Sequence, residues 1–189
     1  MRVSTLLGAS LAVVCGGIWG VFGIPASSVT LSDGTVNFVG VPRLEGASTT
    51  FNQTSVWGAT YYFTIVVPEN AGEPLQRIAI AQTEGGDDID FDLEDSRAFE
   101  GTRRHQGNAV ALYAATPNKD KQKLEVSFNP PVSPGKTLTI ALKPVRNPRY
   151  GGVYLFGVTA FPPGEKARSY FLGYGRLHFY ESGDFGRHW

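Results

Sequence analysis

An acidic segment near the middle of the chain has residue types that suit a hard cation. Seven carboxylates fall within the twelve residues from Glu84 to Asp95. Ca²⁺ takes about six to eight oxygen ligands, which include the carboxylates of Asp and Glu. Asp87, Asp88 and Asp90 follow a pair of glycines that can form a turn. These three residues are therefore candidate ligands of a calcium ion.

The spacing of the same carboxylates favours a simpler interpretation. Asp88, Asp90, Asp92 and Glu94 alternate with apolar residues, and alternate side chains of a β-strand share one face, about 6.6 Å apart. Calcium ligands lie about 2.5 Å from the ion, and hence within about 5 Å of one another. A straight strand does not bring four carboxylates that close. The main prediction is therefore a solvated acidic strand face, with the calcium site as the alternative.

A basic segment lies further along the chain, between residues 143 and 150. Arg146 lies between Pro144 and Pro148, and Arg149 directly follows Pro148. Guanidinium groups in an extended loop can hold carboxylate or phosphate oxygens in bidentate contacts. Arg146, Arg149, Tyr150 and the later Arg176 are therefore candidate contact residues for a protein, an anionic lipid or a polysaccharide. The competing interpretation is that these arginines pair with the protein's own acidic strand.

Catalytic chemistry has weak support in the sequence. The histidines are His105, His178 and His188, and no metalloprotease, nucleophile-elbow or phosphate-binding glycine motif is present. His178 lies in an alternating strand pattern, so we expect it to be half-buried and structural. We predict that the protein is not an enzyme and needs no cofactor, unless the calcium alternative holds. Hydrolysis of carbohydrate by carboxylates that the sequence does not single out is a less favoured alternative.

The composition excludes two further classes. The single Cys rules out a disulfide framework and a Cys-rich zinc site. Lys and Arg total 17 and Asp and Glu total 17, whereas a nucleic-acid-binding protein needs an excess of positive charge to neutralise phosphates. We therefore predict no nucleic-acid partner.

The N-terminal residues have the pattern of an export signal. Arg2 is the only charge among residues 1–26, and an apolar run of 19 residues extends from Leu6 to Ile24. A positive start, an apolar run and a small residue at the end are typical of a secretory signal peptide. We predict cleavage after Ala26, which leaves residues 27–189 as the mature domain. Because the apolar run is near the roughly 20 residues that span a bilayer, an uncleaved anchor is the alternative, and it would be the only membrane contact.

The rest of the chain is predicted to form β-strands. Runs of β-branched and aromatic residues such as Ala59–Val67 and Gly152–Ala160 recur with Gly and Pro between them, which is typical of a sandwich or barrel. Asp92–Glu100 is the one segment predicted to be a short helix. The predicted fold class is all-β, with a single immunoglobulin-like β-sandwich after the signal segment. Its expected core includes Phe63, Ile65, Val126, Phe128, Leu138, Ile140, Leu155 and Phe156.

Several segments resemble one known family. Asn147–Pro162 has the sequence NPRYGGVYLFGVTAFP, and Gly173–Tyr180 has the sequence GYGRLHFY. Together with Pro68–Gln76, Ala98–Arg103 and Asn129–Ile140, they resemble the cyanobacterial family catalogued as Domain of Unknown Function 2808. The resemblance implies an exported cyanobacterial protein of the periplasm, the cell envelope or the thylakoid lumen. The family has no established activity, so the resemblance implies no catalytic residue.

The sequence therefore predicts an exported, non-enzymatic β-sandwich module of the cell envelope with a structural or binding role. An envelope protein, an anionic lipid or a polysaccharide is its expected partner. A Ca²⁺-dependent domain that uses Asp87, Asp88 and Asp90 is the alternative, and an envelope carbohydrate hydrolase is less favoured.

Overall fold

The computed structural model describes residues 29–30, 34–115 and 123–181 and shows two packed antiparallel sheets. The predicted signal peptide, residues 1–26, and His188 lie outside the described residues. The strands are β1 (Val29–Thr30), β2 (Val36–Asn37), β3 (Arg43–Thr49), β4 (Tyr61–Val66), β5 (Leu75–Glu84), β6 (Phe91–Gly101), β7 (Gln106–Val110), β8 (Leu112–Ala115), β9 (Lys123–Val132), β10 (Thr137–Pro144), β11 (Gly152–Phe161) and β12 (Tyr170–Phe179), with one 3-10 turn at Glu69–Ala71.

The strand order confirms the immunoglobulin-like prediction. One sheet has the order β3-β4-β10-β6-β7 and the other has the order β12-β11-β5-β9-β8, while β1 pairs only with β2. An immunoglobulin fold places strands A, B, E and D in one sheet and G, F and C in the other. Here β3, β4, β10 and β6 take the first set of positions, and β12, β11 and β5 take the second. The extra strands β7, β8 and β9 widen both sheets at one side.

The core lies between the two sheets and is built by alternation along each strand. Seven of the eight predicted core residues are fully buried: Phe63, Ile65, Val126, Phe128, Leu138, Ile140 and Phe156. The prediction for Leu155 was wrong, because this side chain is only half-buried. Successive residues of a strand point to opposite faces, so Tyr154 and Phe156 occupy the core side of β11 and Leu155 lies on the outer face.

The predicted helix at Asp92–Glu100 is also wrong, because these residues belong to β6. A carboxylate oxygen of Asp92 accepts hydrogen bonds from the amides of Glu94 (3.0 Å) and Asp95 (3.4 Å). The register of β6 against β10 shifts at this point. A side chain that bonds the amides two and three residues ahead is also how a helix begins. In this segment the same local hydrogen bonds form inside a bulged strand.

Glycine lets the two sheets meet at one side of the sandwich. An added Cβ at Gly175 of β12 would lie 2.7 Å from Cε1 of Phe63 and 2.9 Å from Cβ of Ala47. No larger residue fits there without a shift of β12 away from β3 and β4. This close approach seats the core side of β12 against β3 and β4.

Candidate functional site

Three loops and the end of β12 meet at one end of the sandwich, which we call the loop end. The loops are residues 50–60 between β3 and β4, residues 85–90 between β5 and β6, and residues 145–151 between β10 and β11. Backbone hydrogen bonds tie them together: from Val145 N to Asp90 O (2.9 Å), from Asn147 N to Val56 O (2.8 Å) and from Thr54 N to Tyr180 O (2.9 Å).

Asn147 holds this end together from the inside. Its side chain is fully buried. It accepts a hydrogen bond from the Tyr61 hydroxyl (2.9 Å) and donates two, to the carbonyl oxygens of Phe51 (3.0 Å) and Gln53 (2.8 Å). Burial raises the pKa of Tyr61 far above its usual range, so the hydroxyl stays protonated and donates. This arrangement fixes the loop of residues 50–60 against the loop of residues 145–151.

Asp87 and Arg149 form an ion pair on the solvent side of the same loops. The Asp87 carboxylate accepts hydrogen bonds from the Arg149 backbone amide (2.9 Å), from Nε (3.2 Å) and from a terminal guanidinium nitrogen (3.3 Å). These bonds hold the pKa of Asp87 below its usual range, and the hydrogen bonds from the Arg149 side chain have the largest effect. The positive charge of Arg146 lowers the pKa slightly further. For Arg149, the structure therefore shows the pairing with the acidic segment that the competing interpretation expected.

A cavity of about 250 Å³ joins the two groups of predicted site residues. Its lining consists of Asp87, Asp88, Asp90 and residues 145–149. Two charged side chains of the basic loop and three carboxylates therefore meet in one cleft. Among residues 29–30, 34–115 and 123–181, no three His, Cys, Asp or Glu side chains come together so as to hold a metal ion. The calcium site stays a prediction that the structure does not test.

Large apolar side chains of the loop end face solvent. Trp57 is 69% exposed and Tyr150 is 57% exposed, and Phe51, Val145 and Tyr180 are also exposed. Tyr150 lies against the loop of Asp87, because a Cβ added at Gly86 would be 3.6 Å from the Tyr150 Cβ. Sequence reasoning found Tyr150 but missed Trp57, which lies in a loop with no recognised motif.

Arg176 lies apart from the cleft. It is exposed on the outer face of β12, opposite Leu155 of β11, and it does not line the cavity. His178 lies on the same face and is exposed, with its ring stacked on Tyr180 at 4.4 Å between centroids. The expectation of a half-buried structural His178 is therefore wrong. Strand alternation is the physical reason, since Leu177 and Phe179 take the core positions on either side.

The acidic segment follows the predicted alternation. Asp88, Asp90, Asp92 and Glu94 are exposed, whereas Ile89 is buried and Phe91 and Leu93 are half-buried. The solvated acidic face is confirmed for these residues.

Comparison with models of known families assigns the chain to one family. A family model described as "Protein of unknown function (DUF2808)" matches residues 35–179. The chain belongs to this family. The matched residues run from β2 to the end of β12, so the DUF2808 domain includes the cavity and nearly all of the surface described above. No curated protein matches the chain.

Solved structures resemble the chain only in general architecture. BslA, a bacterial hydrophobin, is 13% identical, with a TM-score of 0.44 over 75% of this chain and 95% of BslA. A collagen-binding domain from a Staphylococcus aureus adhesin is 10% identical, with a TM-score of 0.36 over 65% of this chain and 87% of that domain. A cohesin module from a Clostridium perfringens family 33 glycoside hydrolase is 9% identical, with a TM-score of 0.33 over 74% of this chain and 97% of the module. Similarity this low supports no argument about function.

Within the part of the chain that the structure describes, no helix has the length and apolar character needed to cross a bilayer.

Proposed function

We propose that this DUF2808 protein is an exported, non-enzymatic module that binds a polysaccharide of the cell envelope at the loop end. The observation that carries the proposal is the exposure of Trp57 and Tyr150 beside a cleft lined by charged side chains. A sugar presents apolar C–H groups on its faces and hydroxyl groups at its edges. Exposed aromatic rings suit the first, and fixed carboxylate and guanidinium groups suit the second.

The charges at the loop end favour a polysaccharide over an anionic lipid. The cleft contains the carboxylates of Asp87, Asp88 and Asp90 but only two guanidinium groups, those of Arg146 and Arg149. Anionic membranes attract clusters of Lys and Arg, and this local balance is negative. A lipid surface would also meet Arg149 already engaged by Asp87.

The polar lining of the cleft favours a polysaccharide over a protein partner. Exposed Trp, Tyr and Arg are common at the centre of protein interfaces. However, an apolar protein side chain that entered this cleft would remove charged groups from water without replacing their hydrogen bonds, which is costly. Sugar hydroxyls both donate and accept hydrogen bonds, so they can replace the lost water.

Export is part of the proposal and rests on the N-terminal sequence. The apolar run between Leu6 and Ile24 follows Arg2, and the only cysteine, Cys15, lies within that run. A mature chain that begins at Ser27 would contain no thiol and would therefore be indifferent to an oxidising compartment. The resemblance stated above makes the cyanobacterial periplasm or thylakoid lumen the expected location. Mass spectrometry of the N-terminus in envelope fractions tests this, and a protein that retains Met1 in the cytosol would contradict it.

Binding is tested with defined oligosaccharides and a matched surface variant. Wild-type protein is titrated by calorimetry with disaccharides and hexasaccharides of glucose, N-acetylglucosamine and uronic acid. We expect W57A and Y150A each to weaken binding about tenfold, which corresponds to the loss of one buried aromatic contact of roughly 1.4 kcal/mol. Y113A is the control, because Tyr113 is 57% exposed on β8, outside the loop end.

The outcomes of this titration separate the candidate functions. No heat with any oligosaccharide, or equal losses in Y113A and W57A, would overturn the proposal. Shortened products after incubation would indicate the hydrolase alternative instead. Heat that appears only when CaCl₂ is added would support the calcium-dependent alternative, and D87N would then abolish it.

A further inference from the structure

The outer face of β12 has a row of exposed side chains, most of them rings, that shares Tyr180 with the loop end and leads away from the cleft. Tyr174, Arg176, His178 and Tyr180 occupy alternate positions and are all exposed. Since alternate residues of a strand lie about 6.6 Å apart, the row is about 20 Å long. Phe171 joins its far end through the register shift between β11 and β12. We call these five residues the aromatic track.

The rings of the track are arranged in two pairs. Phe171 and Tyr174 meet edge to face, with centroids 5.0 Å apart. They lie over Gly157 of β11, where an added Cβ would be 3.3 Å from Phe171 Cε2 and 3.7 Å from Tyr174 Cε1. His178 and Tyr180 are stacked at 4.4 Å, and the Tyr180 hydroxyl lies 3.3 Å from His178 Nδ1. These contacts restrict the rings before any ligand arrives, which lowers the entropic cost of binding.

The chemistry of the track matches a sugar polymer. Each exposed side chain apart from Phe171 combines a flat face with a polar tip, and no carboxylate occurs between Tyr170 and Tyr180. Val153 and Leu155 of β11, which pair with His178 and Arg176, are half-buried on the same face. The track therefore offers flat apolar surface to the C–H groups of a sugar and polar tips to its hydroxyl groups, and no carboxylate of β12 repels an anionic sugar.

The backbone joins the track to the loop end. The Tyr180 amide donates a hydrogen bond to the Asn52 carbonyl (2.8 Å), and the Thr54 amide donates one to the Tyr180 carbonyl (2.9 Å). The last residue of the track is thus fixed to the loop that contains Trp57. A ligand bound at the loop end that continues along β12 would pass over the track.

We propose that the aromatic track is a second carbohydrate subsite, which holds the continuation of an extended polysaccharide whose first units occupy the loop-end cleft. This inference rests on the proposed function. It makes ligand length a determinant of affinity, because a disaccharide in the cleft does not reach Tyr174 and a hexasaccharide does.

The experiment compares short and long oligosaccharides on matched variants. We expect wild-type protein to bind the hexasaccharide of the preferred sugar at least about tenfold more tightly than the disaccharide. Y174A and H178A should remove most of that difference and leave disaccharide affinity unchanged. Y113A, whose tyrosine is as exposed (57%) as Tyr174 (56%), should retain the full difference. Urea unfolding of each variant checks that the sandwich is intact.

The results separate this inference from the proposed function. If the disaccharide and the hexasaccharide bind with equal affinity, or if Y174A and H178A keep the difference between them, the track is not a subsite. The proposal for the loop end is unaffected by that result. Hexasaccharide binding that is lost in Y174A but unchanged in W57A would show that β12 binds sugar by itself, which overturns both the loop-end cleft and the proposal that the track continues it. If neither the disaccharide nor the hexasaccharide binds, both proposals fail. If a protein crosslinks to a photoreactive residue at position 174 and no sugar competes, the track is a protein interface and the inference is wrong.

Discussion

The inner and outer sides of the loop end use polar groups in different ways. On the inner side, the fully buried Asn147 makes three side-chain hydrogen bonds to Tyr61, Phe51 and Gln53. On the outer side, Asp87 and Arg149 form an ion pair in which the arginine side chain is 58% exposed and the aspartate side chain is 11% exposed. A buried hydrogen bond is costly to break because its donor and acceptor cannot form replacement hydrogen bonds with water. Exposed ion pairs, in contrast, contribute little to stability.

This contrast separates the residues that build the surface from those that can bind a partner. Asn147 sets where the loops lie, and its replacement should affect folding first. Trp57, Tyr150, Asp87 and Arg149 stand on the surface that results, and their replacement should affect binding first. Substitutions on each side test that separation.

Replacement of Asn147 by Ala should strongly destabilise the protein. The change leaves the Tyr61 hydroxyl and the Gln53 carbonyl without their partner, while the Phe51 carbonyl keeps its hydrogen bond from the Thr49 hydroxyl. Each unsatisfied buried group costs about 1–3 kcal/mol, so we expect a loss of at least about 2 kcal/mol in the free energy of unfolding. Urea denaturation measures it, and N108A, which changes an exposed asparagine of β7, is the control.

The variant Y61F tests the same hydrogen-bonded group with a smaller change, because it removes one hydrogen bond and keeps the ring in the core. We expect a loss of about 1–2 kcal/mol, which is smaller than the loss in N147A. A free energy of unfolding in N147A equal to that of N108A would show that the buried asparagine does not hold the loops.

Replacement of Asp87 by Asn should change stability little at neutral pH and should alter its acid dependence. The pKa of Asp87 is lower in the folded protein than its ordinary value of 3.8, so folding favours the ionised form. The resulting stabilisation is fully present above pH 3.8 and is lost as the pH falls through the folded pKa. The wild-type protein should therefore lose slightly more stability than D87N between pH 5 and pH 2.

Thermal unfolding across that pH range measures the difference between the two proteins, with E94Q as a control on the same acidic face. Curves for wild type and D87N that stay parallel down to pH 2 would show that Arg149 does not hold the carboxylate in solution.

The fold was predictable because the strands obey simple alternation, and the exceptions have physical causes. Ala59–Val67 is rich in β-branched and aromatic residues, and Tyr61–Val66 within it forms a central strand. β3, by contrast, has the polar sequence RLEGAST and was not predicted, since an edge strand that is mostly exposed has no apolar period to detect. The helix predicted at Asp92–Glu100 was wrong because this segment pairs with β10 and β7 along its length, and such pairing between distant segments is not visible in local sequence.

The candidate site was predictable only in part. Asp87 and Arg149 stood out because each lies in a run of like charge, and opposite charge predicted that the two runs pair. Their 62-residue separation gave no means of saying which carboxylate meets which arginine. Trp57 and Asn147 were missed, because their roles depend on which loops meet at one end of the sandwich. Such contacts arise from strand order, and no local spacing encodes them.

The most direct test of carbohydrate binding at the loop end is an NMR titration of the isotope-labelled mature protein with the hexasaccharide that binds best in calorimetry. We predict that the largest changes in amide and indole chemical shifts fall on Trp57, Asp87, Arg149 and Tyr150. Changes that concentrate on β7 and β8, or spectra that stay unchanged at saturating sugar, would contradict it.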